Sequence, residues 1–137
     1  LAAHAGLPAN QMVVNAGTAL TVDALRADGH FLGGLIVPGV ALMRASLGGG
    51  TAQLRLTEGQ FDPFPKSTPD AITTGSVQAA VGAIERMHAA MTAAGLAPVR
   101  IVLSGGAAPA LAPHLPMPVT LNDNLVLDGL VLLARDR

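Results

Sequence analysis

Val13-Val14-Asn15-Ala16-Gly17-Thr18-Ala19-Leu20-Thr21-Val22-Asp23 sets two runs rich in β-branched residues on either side of Ala-Gly-Thr-Ala, a turn built from small residues. The pattern predicts a β-hairpin. No bulky side chain would stand between its backbone and an approaching phosphate, while Thr18 and Thr21 offer hydroxyls and the turn offers N–H donors. Small-residue hairpins also arise for steric reasons alone, so two readings, anion cradle and plain turn, remain open at this point.

Outward from the hairpin, Met12–Ala16 and Leu20–Arg26 read as its strands, and Asp28-Gly29 signals a turn into a third strand, His30–Val37. Pro38-Gly39 opens a short helix, Val40–Leu47, which Gly48-Gly49-Gly50 ends because consecutive glycines carry a large entropic cost in a helix. The polar stretch Thr51–Lys66 reads as a loop with room for a short strand at Ala52–Leu56. Thr68-Pro69-Asp70 predicts a helix start, with Thr68 as N-cap, Pro69 at the first helical position and Asp70 at the positive end of the dipole. Val77, Val81, Ile84, Met87 and Met91 recur every three or four residues, giving the longest helix one buried stripe until Gly95 and Pro98 stop it. Val99–Ser104 follows as a short buried strand, Gly105-Gly106 as a tight turn, and Ala107–Leu111 as the start of a helix. Met117–Leu121 is a last strand before a C-terminal helix over about Asp123–Arg135. A meander feeding a helix-covered mixed sheet in this order predicts a ribonuclease H-like α/β domain, the architecture shared by actin, sugar kinases and Hsp70.

Composition narrows the function classes. With 137 residues the chain has the length of a single domain or of half a two-domain protein. Half its residues are apolar and only 12% are charged, so it is globular, and the surplus apolar surface calls for a partner domain or second subunit. The longest charge-free run, Ile101–Asn122, carries four prolines and cannot be a bilayer helix. No signal peptide is evident and cysteine is absent, which points to the cytoplasm and excludes a disulfide scaffold or thiolate metal site. A net charge of −1 with scattered Arg and Lys, and only three aromatic residues, argue against nucleic acid as a partner.

A second candidate site is Val102-Leu103-Ser104-Gly105-Gly106-Ala107-Ala108, a buried strand breaking into small residues at a helix start. A planar base or sugar could lie flat on that backbone, with the helix N-terminus adding donors, though Gly-Gly after a strand also serves close packing. Together the two sites repeat the phosphate-then-adenosine order of sugar kinases, actin and Hsp70.

The resemblance then becomes specific. Val14-Asn15-Ala16-Gly17-Thr18-Ala19-x-Thr21-x-Asp23, Asp28-Gly29-x-Phe31-Leu32-Gly33-Gly34-x-Ile36-x-Pro38-Gly39, Ser67-Thr68-Pro69-Asp70-Ala71 and Ser104-Gly105-Gly106, in that order, resemble type III pantothenate kinase, a pattern shared with the related Bvg accessory factor proteins. The resemblance implies transfer of the ATP γ-phosphate to the hydroxyl of pantothenate, the first step of coenzyme A biosynthesis. It implies ATP binding at Gly17, Thr18 and Thr21 for the phosphates and at Gly105 and Gly106 for adenosine. Thr68 is implied to hydrogen-bond pantothenate, with Gly34 and Ile36 in the nearby wall, in a site shared across a homodimer. A divalent metal accompanies ATP, and a monovalent cation, potassium or ammonium, is implied beside residue 15. Here the chain departs from the family, having Asn15 where the pattern has Asp; an amide oxygen coordinates without charge and more weakly.

The family's first phosphate loop, of Asp-x-Gly-Asn-Thr type, and its Gly-x-Asp-Arg motif with the catalytic base do not occur in the sequence. Leu1-Ala2-Ala3-His4-Ala5 resembles the segment that follows Gly-x-Asp-Arg, so residues 1–137 are expected to be the C-terminal domain of a longer two-domain protein, with no catalytic residue in this chain. Alone, the chain is then expected to be inactive, since phosphoryl transfer needs both walls of the cleft. The alternative is a non-catalytic, regulatory protein of the accessory-factor kind on the same fold.

Competing structural explanations accompany several candidates. Thr68 serves as an N-cap or a substrate contact, and Gly33-Gly34 as a strand bulge or a contact surface. Asp23 faces the nucleotide or the solvated side of an alternating strand, the latter being preferred. His4, His30, His88 and His114 are too dispersed for a metal cluster and read as surface or turn residues. Arg44, Arg86 and Arg100 read as solvated charges, and Asp123 and Asp128 as helix-start and surface charges, with Asp123 a secondary candidate at the adenine pocket.

Overall fold

Strict alternation along the hairpin strands puts Met12, Val14 and Ala16 on one side of the sheet with Leu20, Val22 and Ala24, and all six are buried in one core. The computed structural model describes residues 9–48 and 59–122. The expectations at residues 1–5, at Gly49-Gly50, at the strand 52–56 and at the helix 123–135, including Asp123 and Asp128, lie outside these residues.

Strands β1 (Asn10–Ala16), β2 (Ala19–Leu25) and β3 (Phe31–Pro38) form the expected antiparallel meander. Helix α1 (Val40–Gly48) and the long α2 (Thr68–Ala93) follow, then β4 (Val99–Ser104), the single-turn α3 (Ala108–Leu111), a 3-10 turn at Ala112–His114, and β5 (Thr120–Leu121). The sheet order is β3-β2-β1-β4-β5, with β4 parallel to β1 and β5 parallel to β4. This is the ribonuclease H-like arrangement. Val77, Ala80, Val81, Ile84 and Met91 of α2 close one face of the sheet.

Each turn follows from local chemistry. Between β2 and β3, the Arg26 carbonyl accepts from Gly29 N–H at 2.8 Å and Asp28 Oδ1 accepts from His30 N–H at 3.0 Å. That backbone bond, with Arg26 nearby, holds the Asp28 carboxyl below its ordinary pKa. The β2–β3 register then shifts between Ala24 and Leu25, whose partners are Gly33 and Phe31, leaving Leu32 as the extra residue of a bulge. At the end of α2, Leu96 N–H donates to the Met91 carbonyl and Gly95 N–H to the Thr92 carbonyl, both at 3.0 Å, with Gly95 left-handed at φ +81°.

Three expectations need correction. The N-cap of α2 is Ser67, not Thr68: Ser67 is extended and its Oγ accepts from Asp70 N–H at 3.3 Å, so Thr68 is the first helical residue and Pro69 the second. Pro69 fits equally well there because the second N–H of a helix is also unpaired. The last strand shrinks from Met117–Leu121 to Thr120–Leu121, since Pro116 and Pro118 have no N–H for a ladder. Helix α3 is only four residues long, and the first of the N–H donors expected there are taken: Ala107 N–H donates to the Ala16 carbonyl and Ala108 N–H to the Gly105 carbonyl.

Candidate functional site

Three turns meet at one end of the sheet. Gly17 and Thr18 form the β1–β2 turn, in which Gly17 N–H donates to the Ala19 carbonyl at 3.2 Å and Thr18 is exposed. The Thr18 carbonyl accepts from Gly39 N–H at 2.8 Å, and a Cβ on Gly39 would collide with the Gly17 and Thr18 carbonyl oxygens. The entry to α1 is thereby seated against the hairpin turn. From the other side, the β4–α3 turn is joined to β1 by Ala107 N–H donating to the Ala16 carbonyl at 3.1 Å. Gly105 lies there at φ +100°, where an added Cβ would stand 2.6–2.7 Å from the backbone of Ala16. Only glycine combines that dihedral with that approach. Gly106 is exposed and its Cβ direction is open. So Gly105 fastens the turn to β1, and Gly106 presents its outer surface.

The register aligns a polar row just behind these turns. Asn15 pairs with Thr21 on one side and Ser104 on the other, so the three side chains share a face, opposite the α2 core. The Asn15 amide reaches toward the turn, 3.8–3.9 Å from the Cβ position of Gly17. One pleat further from the turn, Val13, Asp23 and Gly34 are aligned. Asp23 is 5% exposed, which overturns its expected place on a solvated strand face. A Cβ on Gly34 would strike the Asp23 carboxylate and the Val22 carbonyl, so this glycine makes room for Asp23. Ile36 is 77% exposed on the edge strand β3.

The start of α2 forms a separate feature. A groove of about 430 Å³ runs between α1 and α2, walled by Met43, Leu47, Thr68, Ile72, Gly75 and Ser76 among others. Because Ser67 caps the helix, the exposed Thr68 hydroxyl has no hydrogen bond among the described residues and stands on the groove rim. Ser46 and Ser76 donate to the Met43 and Ile72 carbonyls, so both hydroxyls are used within their own helices. Gly34 lines a different, apolar groove of about 310 Å³ with Leu32, Met87 and Met91. Thr68 and Gly34 therefore do not share a pocket.

Residues 59–62 are strapped to α2. Gly59, Gln60 and Asp62 donate their N–H groups to Thr73 Oγ1 at 3.1 Å, Asp70 Oδ1 at 2.7 Å and Thr74 Oγ1 at 3.0 Å. Phe61 stacks on half-buried His114, ring centroids 4.0 Å apart, linking the strap to the 3-10 turn beyond α3. Sequence reading missed this strap, whose hydroxyl-to-backbone contacts leave no periodic signal. It could have found the Ser67 cap, since Ser67-x-x-Asp70 is itself a helix-start pattern. No group of three or more His, Asp or Glu capable of holding a metal ion occurs among the described residues, and none of the described helices is long and apolar enough to cross a membrane.

Residues 1–90 match the Type III pantothenate kinase family. Curated relatives of that name include those of Laribacter hongkongensis, 46% identical over 98% of this chain, Aromatoleum aromaticum, 52% over 91%, and Leptothrix cholodnii, 50% over 95%. The matches take up 56%, 51% and 50% of those proteins, so the chain spans about half the length of the curated relatives it matches. Among solved structures, a Baf family protein from Campylobacter jejuni, described as a transcriptional activator, superposes with a TM-score of 0.63 at 24% identity, covering 98% of this chain and 61% of its own. That likeness concerns the fold. Matched by the family over its first two-thirds and by close relatives over nearly its whole length, the chain belongs to the type III pantothenate kinase family.

Proposed function

We propose that this chain provides one wall of an ATP-dependent pantothenate kinase, the enzyme that forms phosphopantothenate in the first step of coenzyme A biosynthesis. The convergence of the Gly17-Thr18, Gly39 and Gly105-Gly106 turns at one sheet end carries the reading. Backbone this close-packed is pre-formed, and the exposed Thr18 hydroxyl with the open surface of Gly106 fits a phosphate chain and a nucleoside. Thr18, Gly17 and Thr21 would hold phosphate oxygens, while Gly105 and Gly106 would border adenosine. Thr68 would hydrogen-bond pantothenate at the groove between α1 and α2.

A divalent ion would arrive with the ATP phosphates and neutralise their charge. Oxygen-bearing Asn15, Thr21 and Ser104 fit a monovalent cation, potassium or ammonium, held by neutral ligands. The group that takes the substrate hydroxyl proton is assigned to the opposite wall, in the part of the relatives that this chain does not match. Exposed Leu32, Ile36, Leu42, Leu47 and Phe64 support a homodimer, and a cytoplasmic location accords with this metabolic role. The curated relatives carry the kinase name, so the regulatory alternative is not favoured.

The test is phosphorylation of pantothenate by the full-length protein, followed by product mass and ADP release. Thr18→Ala should lower kcat/KM for ATP about 10- to 150-fold, the equivalent of one hydrogen bond to a charged phosphate, about 1.5–3 kcal/mol. Unchanged ATP kinetics would return Thr18 to a turn-forming role. Residues 1–137 alone should show no turnover above a no-enzyme control.

A further inference from the structure

Among the described residues, nothing in the packing calls for glycine at position 75. It lies in the third turn of a 26-residue helix, where glycine is less favourable than alanine, yet a Cβ there meets nothing within 4 Å among the described residues and φ is not positive. Gly34, Gly39 and Gly105, in contrast, each abut protein atoms that leave no space for a side chain. The space beside Gly75 is the groove between α1 and α2, with Thr68 on its rim and Met43, Leu47 and Ile72 in its walls. Thr68 and Gly75 are seven positions apart, two helical turns, and so lie on the same helix face.

We propose that Gly75 is a specificity-determining residue whose missing side chain is reserved for the aliphatic part of the phosphate acceptor, while the Thr68 hydroxyl bonds its polar end. This rests on the pantothenate kinase reading above. A groove whose walls are methionine, leucine and isoleucine, and whose serine hydroxyls are engaged within their own helices, suits a branched apolar segment. The Thr68 hydroxyl, which is unengaged among the described residues, suits an adjoining amide or hydroxyl. A methyl group at position 75 would take volume from that segment without touching any of the described residues.

The experiment separates stability from substrate use in the full-length protein. Gly75→Ala should raise Tm by about 2–4 °C, because alanine is the better helix former. It should also raise KM for pantothenate about tenfold or more, with kcat and KM for ATP within about twofold, the scale of one methylene in a tight apolar pocket. Gly82→Ala is the control: Gly82 is also mid-helix with an open Cβ direction, but does not line the groove, so the same Tm gain should leave KM unchanged. Thr68→Ala tests the functional reading on its own.

If Thr68→Ala raises KM and Gly75→Ala does not, the specificity role of Gly75 is overturned while the kinase reading stands. A lowered Tm for Gly75→Ala, or a change in subunit association by sedimentation, would also overturn it, since the space would then belong to packing or to a subunit interface. Failure of the parent protein to phosphorylate pantothenate would remove both.

Discussion

Replacing Gly105 and Gly106 separately by alanine should give opposite results at neighbouring positions. At Gly105 the backbone is at φ +100°, a region that costs an L-residue about 1–2 kcal/mol. The new Cβ would also lie 2.6–2.7 Å from the N, C and O atoms of Ala16. These are main-chain atoms of a central strand and cannot swing aside as a side chain can. Relief requires the turn to lift from β1, at the expense of the bond from Ala107 N–H to the Ala16 carbonyl. Overpacking of this kind costs about 1–3 kcal/mol, so Gly105→Ala should destabilise by about 2–5 kcal/mol in all. With an m value of about 2 kcal/mol/M, the urea midpoint should fall by about 1–2.5 M. Gly106→Ala has an open Cβ direction and no positive φ, and its midpoint should move by no more than about 0.5 kcal/mol allows. If Gly106 borders adenosine, the same variant should still raise KM for ATP. Equal midpoints for the two variants would refute the assignment of Gly105 as the fastening residue.

Two further outcomes follow from residues at the site. Ser67→Ala should destabilise by about 1 kcal/mol through loss of the cap, whereas Thr68→Ala should stay within about 0.5 kcal/mol in thermal unfolding and affect pantothenate KM instead; the reverse order would restore Thr68 as the cap. Asn15→Asp should make phosphorylation more dependent on potassium at constant ionic strength, because a carboxylate adds direct attraction for the cation. Identical potassium curves for the two forms would remove residue 15 from the cation site.

The strands and helices were legible where a single period runs long enough to be counted. Val77, Val81, Ile84, Met87 and Met91 gave α2, and the alternation around Gly17-Thr18 gave the hairpin. Errors occurred where two neighbouring residues could play one role. Ser67 and Thr68 are both competent caps, and only the extended conformation of Ser67 decides between them. Asp23 was misplaced because alternation tells which face a residue occupies but not whether that face is covered. The groove and the strap were not legible at all. They depend on how α1 and residues 59–62 lie against α2, and the hydroxyl- and carboxylate-to-backbone contacts that hold residues 59–62 there leave no periodic signal.

The parallel pairing of β1 with β4 joins Asn15 to Ser104, 89 positions later in the chain. Closing so long a loop is entropically costly, and contacts of this separation form slowly. The meander has only short loops to close and can assemble well before β4 arrives. Gly105 comes up against Ala16 at the end of β1 only when that pairing is made. A chain with an intact hairpin and α2 would already contain Thr18 and Thr68, yet would lack the β4–α3 turn of the proposed nucleotide site. If nucleotide binds as proposed, only where both turns are in place, it would act as a late-stage fold sensor, slowing unfolding by holding β4 against β1 while leaving the early steps of folding untouched.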